Sequence, residues 1–276
     1  MVAAVLLAAV LHAAWNSLAK TIDDQLAGFM LLDLTGIVVC LAALLVVAAP
    51  AAASRPFIAA SACLHVGYKL VLMRSYKLGD LSQVYPLARG VAPLLVAVFA
   101  ATVIGERLGP WQLAGVVLVS VGLASLALGG RRPARRDRAA IAFALGTGAF
   151  IAAYTVTDGI GVRHAGTALG YAAWLFLVDG IPIPVYMLAT RRRAAGAALR
   201  ANWAKGVIAG VLSLVAYGLV LWAQTRGALA AVAALRETSV IVAAAIGTML
   251  LGERFGRLRV VAATLVAAGI LLLNLP

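Results

Sequence analysis

The stretch from Gly79 to Leu128, GDLSQVYPLARGVAPLLVAVFAATVIGERLGPWQLAGVVLVSVGLASLAL, decides the reading of this chain because it occurs twice. The second copy runs from Gly227 to Leu275, GALAAVAALRETSVIVAAAIGTMLLGERFGRLRVVAATLVAAGILLLNL. Arg89 answers to Arg236, Gly105-Glu106-Arg107 to Gly252-Glu253-Arg254, Gly109 to Gly256 and Gly122 to Gly269, all at an offset of 147 residues. Just upstream, Tyr68-Lys69-Leu70-Val71-Leu72 matches Tyr217-Gly218-Leu219-Val220-Leu221. A period this long is a duplicated supersecondary unit, not a solenoid repeat.

Composition sets the medium. The chain is 64% hydrophobic, 12% charged and has a mean hydropathy of +1.02, too apolar for a soluble domain. Apolar runs of about 20 residues read as membrane-spanning helices. The net charge of +13 sits between these runs with little interleaved aromatic surface, which fits basic loops at a membrane and not a nucleic-acid partner. Cys40 and Cys63 lie inside apolar runs and read as small buried hydrophobes, with neither a disulfide framework nor a metal site on offer.

Ten apolar segments follow in order: Val2 to Ala19, Leu26 to Ala49, Pro56 to Met73, Leu81 to Val103, Trp111 to Leu128, Ala139 to Asp158, Thr167 to Ala189, Gly206 to Gln224, Leu229 to Leu251 and Leu258 to Leu273. The first lacks a basic n-region and carries Trp15 and Asn16 where a signal-peptide cleavage motif would stand. The basic run RRPARRDR, residues 131–138, separates an expected first repeat (1–130) from a second (139–276). Five crossings per half make the second copy enter from the opposite face. The expected fold is thus an all-α integral membrane protein of ten transmembrane helices in two inverted five-helix repeats, an arrangement tied to alternating access.

Lysine and arginine counts orient it. Sixteen lie in one set of loops, including 131–138 and 191–205, and four in the other: Arg55, Arg107, Arg163 and Arg226. The first set is expected in the cytoplasm, with both termini outside and the protein in the inner (plasma) membrane.

The duplicated Arg-bearing segment, the Gly-Glu-Arg that follows and the glycine-containing helix after it resemble the EamA-type family of the drug/metabolite transporter superfamily. LHAAWN (11–16), VYPLARG (84–90) and ALRETS (234–239) are similar to its motifs. The resemblance implies a ten-helix inverted repeat around a cavity lined by helices 1, 3, 4, 6, 8 and 9, export as the direction, and termini on the cytoplasmic side. On that last point it opposes the charge count.

Charge within the hydrocarbon region is costly, ~2.5–3.5 kcal/mol on the insertion scale, and so calls for a partner or a task. The basic candidates are Lys69, Arg89 and Arg236; the acidic ones are Asp33, Asp158, Asp179 and Glu237. Arg89 and Arg236, equivalent by the repeat, suit an anion clamp or gate, the competing reading being a structural ion pair. Glu237 is read as a proton-coupling carboxylate or an internal salt-bridge partner, pointing about 100° from Arg236 around a helix. His65 and Lys69 share a helix face. Asn16 joins His12 and Trp15 on one face, with Trp15 favoured as an interfacial anchor. Tyr85 precedes Arg89 by one turn, and Arg89 is flanked by Pro86 and Pro93, which are expected to bend their helix. Tyr154 pairs with an Asp158 placed near the interface. Tyr217 completes the candidate path. Asp33 and Asp179 are each expected to be in buried polar pairings, Gly206 and Gly210 to form a close helix contact, and the Gly-Glu-Arg tripeptides to be turns with a local cap or ion pair.

No phosphate-binding loop or HExxH occurs. The expected function is a secondary transporter, not an enzyme. It would need no cofactor and would export amino-acid-like or amphipathic metabolites, with a proton or other ion as coupling partner. The alternative is a lipid or lipid-linked-sugar translocase of the same fold, and the weaker one an intramembrane aspartyl protease using Asp33 and Asp179.

Overall fold

The computed structural model describes residues 1–19, 21–78, 81–127, 135–242 and 257–275. Expectations placed on Lys20, Gly79, Asp80, residues 128–134 of the basic linker, and residues 243–256 with the second Gly-Glu-Arg and Gly256 lie outside the described residues. The regular elements are helical: α1 (Val2–Ala19), α2 (Gln25–Ala43), a 3-10 turn (Ala52–Ser54), α3 (Arg55–Leu78), α4 (Leu81–Val103), α5 (Pro110–Ala127), α6 (Arg135–His164), α7 (Ala168–Gly180), α8 (Pro182–Thr190), α9 (Arg192–Gln224), α10 (Leu229–Arg236) and α11 (Arg257–Leu273). Among the described residues, eight helical spans are long and apolar enough to cross a membrane, and Val260–Leu273 is a shorter apolar helix.

Several boundaries differ from the sequence expectation. Segment seven is two helices meeting at Ile181, because Pro182 and Pro184 withhold backbone N–H groups there. Residues 191–205 form no loop but the start of α9, whose 33 residues extend about 50 Å at 1.5 Å each. That exceeds a hydrocarbon core of about 30 Å. Residues 135–138, expected in the linker, likewise open α6. Segment nine is interrupted: α10 ends at Arg236, Glu237 and Thr238 form a turn, and helical backbone resumes at Ser239. Cys63 is exposed, whereas Cys40 is buried as expected.

The chain packs as two compact units. The first comprises Met1, Ala3–Val66 and Thr157–Arg226, the second Val2, Gly67–Val156 and Gly227–Pro276. Each unit therefore draws on both sequence halves.

In the first unit α2 lies against α7, α8 and α9. Lipid tails are as apolar as leucine, so helices in a membrane associate through close fit and not through water exclusion. The expected glycine contact is present. A Cβ on Gly206 would come within 2.6 Å of Leu31 Cβ, and one on Gly210 within 2.6 Å of Thr35 Cβ. Asp24 caps α2 by accepting from the amides of Leu26 (3.1 Å) and Ala27 (3.3 Å). It also pairs with Arg191 at 2.8 Å, and Lys205 Nζ donates to the Thr21 carbonyl at 3.5 Å. At the other end of this unit, the Ala51 amide donates to the Ala165 carbonyl at 3.0 Å.

In the second unit α5 lies between α4 and α11, and α10 against α4 and α5. A Cβ on Gly115 would sit 2.7 Å from the Gly269 carbonyl oxygen, and one on Gly269 equally close to that of Gly115. A Cβ on Gly122 would be 3.0 Å from the Ala262 carbonyl oxygen. Residue numbers rise along α5 as they fall along α11, so these helices run antiparallel. By the 147-residue offset, Ala262 is the counterpart of Gly115 and Gly269 of Gly122. The contact set maps onto itself when the copies are exchanged, the signature of a two-fold, self-complementary contact.

Gly105 adopts the left-handed backbone (φ 68°) just past the end of α4, as its place in Gly-Glu-Arg suggests. Glu106 reaches beyond its own turn. Its Oε1 accepts from the Leu229 amide at 2.6 Å, supplying an acceptor to the open N-terminus of α10, 123 residues away.

Burial is inverted relative to a water-soluble fold. Val38 and Leu169 are each 67% exposed, while Asp33, Lys69, Arg89, Asp158, Asp179, Arg236 and Glu237 are buried. An apolar exterior around a polar interior is stable only where the surroundings are lipid. The chain is a multi-pass membrane protein.

Candidate functional site

The second unit collects most of the intramembrane charge. Arg89 lies on α4, Arg236 is the last residue of α10, and Glu237 begins the turn after it. That turn tightens: the Glu237 amide donates to the carbonyls of Ala233 (3.3 Å) and Ala234 (3.1 Å), and the Thr238 amide to Leu235 at 3.2 Å. The Thr238 hydroxyl donates to the same Leu235 carbonyl at 2.9 Å. Threonine competes with the helix for its own backbone acceptors, so the interruption falls in Arg-Glu-Thr, whereas α4 with its two prolines stays continuous across 23 residues.

Arg89 Nε is 2.6 Å from Glu237 Oε2, and its Nη2 donates to Ser239 Oγ at 2.6 Å. The Nε contact is ionic without hydrogen-bond alignment of its N–H. Arg236 reaches Glu237 Oε1 more loosely, at 3.4 Å from both Nε and Nη2. The sequence expectation that Arg236 and Glu237 diverge holds only for their Cβ directions, because the long guanidinium arm folds back onto its neighbour. Two arginines related by the repeat thus share one carboxylate, whose counterpart in the first copy is Gly90. All three side chains are essentially buried, at 3%, 2% and 0% exposed.

Aromatic rings border the guanidinium groups. Arg89 Cζ lies 5.6 Å from the centroid of Tyr85 and Arg236 Cζ 6.0 Å from that of Tyr154, within cation–π range. Tyr154 meets Tyr68 edge-on at 5.7 Å. Lys69 is buried in the same unit.

The first unit holds His65, Tyr217 and Asn16. The Asn16 amide donates to the His12 carbonyl of its own helix at 2.8 Å. Trp15 Nε1 donates to His12 Nδ1 at 3.2 Å, a role beyond interfacial anchoring. His65 and Tyr217 meet edge-on at 5.6 Å. Asp158 is 0% exposed. It accepts from the hydroxyls of Tyr171 (2.9 Å) and Tyr217 (2.5 Å) and is hydrogen-bonded to Ser61. Although His65 and Lys69 share a face of α3, they fall in different units.

Sequence reasoning missed Ser61, Tyr171 and Ser239. None carries charge and none stands out in a tyrosine- and serine-containing apolar chain. Only Ser239, three residues after Arg236, offered a signal by its spacing.

The sequence model of the EamA-like transporter family matches residues 138–275. The crystal structure of a protein described in no further detail is similar over 99% of this chain and 98% of that one. Its TM-score is 0.76 and its identity 20%, which is a likeness of fold. No curated protein matches the chain.

Proposed function

Because this multi-pass membrane protein belongs to the EamA-like transporter family, we propose that it is a secondary transporter exporting small amino-acid-like or amphipathic metabolites. The observation that carries this reading is the buried cluster of Arg89, Arg236 and Glu237. A substrate carboxylate entering it competes with Glu237 for two guanidinium forks, whose planar donors match a carboxylate two bonds at a time. Tyr85 and Tyr154, already against the guanidinium groups, offer faces to an apolar or aromatic substrate body, and Lys69 adds a further cation in that unit.

Alternating access in ten crossings arranged as two inverted five-helix repeats completes the proposal. The antiparallel, self-complementary contact between α5 and α11 supports it, since equivalent helices in inverted copies cross in opposite directions. The inner (plasma) membrane is the proposed location, with residues 131–138 and 191–205 in the cytoplasm. The Arg191–Asp24 and Lys205–Thr21 contacts support this by holding the basic start of α9 against the connection between α1 and α2, which the charge count puts on the same side.

Thermal unfolding of the detergent-purified protein against a panel of amino acids tests the reading, with Arg89→Ala and Arg236→Ala alongside. A ligand at 100 times its Kd adds about 2.7 kcal/mol to the folded state. The expected outcome is a compound that raises the wild-type midpoint and leaves both variants unmoved. Equal stabilisation of all three proteins would remove the arginines from the site.

A further inference from the structure

Among the described residues, the first unit contains three buried acids that the arginine cluster does not use, and one of them, Asp158, is fully buried among hydroxyl groups. Asp158, on α6, is met by Ser61 and His65 from α3, Tyr171 from α7 and Tyr217 from α9. Asp158, Ser61 and Tyr171 are all 0% exposed. His65 Nδ1 lies 3.0 Å from the Ser61 carbonyl and 3.1 Å from its hydroxyl, so Ser61 joins the imidazole to the carboxylate. On the same helix, Arg163 Nε donates to the Gln224 carbonyl at 2.9 Å, and His164 stacks on Phe57 at 5.9 Å.

We propose that Asp158, with His65 beside it, is a proton-binding site, and that this proton is the coupling ion of the transport reaction. The last clause rests on the transport reading above; the site itself does not. The chemistry selects the ligand. A metal ion needs lone pairs, but both tyrosine hydroxyls turn their hydrogens towards Asp158. An ammonium group would have to displace the two hydroxyls that already hold the carboxylate. A proton needs neither. Each hydroxyl is donor and acceptor by turns, so a protonated carboxyl is accommodated by rotating one O–H, with no backbone movement.

Glu237 is the less suitable acid. Its counter-charges are arginines, which keep their charge at every physiological pH. The neighbours of Asp158 are instead tyrosine hydroxyls, with His65 reached through Ser61.

Infrared difference spectroscopy of the full chain in nanodiscs, titrated between about pH 5 and 8, reads the carbonyl stretch of a protonated carboxylic acid. The expected result is a band in the wild type that is absent in Asp158→Asn and retained in Glu237→Gln. Tyr217→Phe, which removes one donor and keeps the ring, is expected to move the pH at which the band appears. A band unchanged in Asp158→Asn overturns the proposal, as does one lost only in Glu237→Gln. Should Asp158→Asn not fold, an unmoved band in Tyr217→Phe overturns it equally. Because the spectrum needs no substrate, a failure of the amino-acid panel to stabilise the protein leaves this result standing by itself.

Discussion

Glu237 is an acid shared by two repeat-related arginines, and its removal shows what a buried ion pair is worth. A carboxylate and guanidinium in the interior gain little over an apolar pair, but deleting one partner strands the other, at about 3–5 kcal/mol. Glu237→Ala is therefore expected to lower stability by roughly that amount. Arg89→Ala/Glu237→Ala should fall well short of the sum of its singles, because the second substitution removes a charge already stranded. Chemical denaturation in mild detergent measures this cycle; additive losses would mean that the 2.6 Å contact contributes no coupling. The charged members of this cluster were legible in the sequence, since charge within an apolar run stands out. Its partner Ser239 was not, and neither was Ser61, which belongs with Asp158 in the other unit. A hydroxyl in a membrane helix usually bonds its own backbone, as Thr102 and Thr147 do here, and only tertiary packing shows which one turns elsewhere.

At the scale of elements, glycine decides how near two helices come. Gly115 and Gly269 face one another's backbone carbonyl, which cannot step aside as a flexible side chain can. Gly115→Ala and Gly269→Ala are each expected to cost about 1–3 kcal/mol through overpacking. Gly122→Ala should cost less, its absent Cβ having 3.0 Å of clearance where the others have 2.7 Å. Gly109→Ala, with nothing within 4 Å, serves as the neutral control. Thermal midpoints of the four variants rank these effects, and a Gly109 loss as large as that of Gly115 would refute the packing account. Element type followed readily from hydropathy, but element ends did not. A helix that leaves the membrane keeps its hydrogen bonds while its side chains turn polar, so the basic residues at the start of α9 hid the helix that carries them. The interruption after Arg236 was hidden for the opposite reason: its local sequence contains neither proline nor glycine.

At the scale of the whole molecule, charge asymmetry and backbone contacts lead to a topology that can be measured. In a background with Cys40 and Cys63 replaced by alanine, Gly109→Cys lies in the turn after α4 and Ala197→Cys in the basic start of α9; both positions are exposed. A membrane-impermeant thiol reagent is expected to label position 109 in intact cells and position 197 only after permeabilisation. The reverse pattern would invert the orientation and favour cytoplasmic termini.

The sequence by itself determined the medium, the helical class and the identity of the buried charges, and it carries the internal similarity at 147 residues. Each is written in residue type at fixed spacing, and each follows from the cost of polar groups in hydrocarbon. Tertiary structure alone decided which charges meet. Arg89 and Glu237 are 148 residues apart, Asp158 and Tyr217 are 59 apart, and no local pattern encodes such distances. The partition into two packed units, each built from both halves of the chain, is likewise invisible in a linear repeat. A repeat records how the gene was copied, whereas packing follows the surfaces that fit.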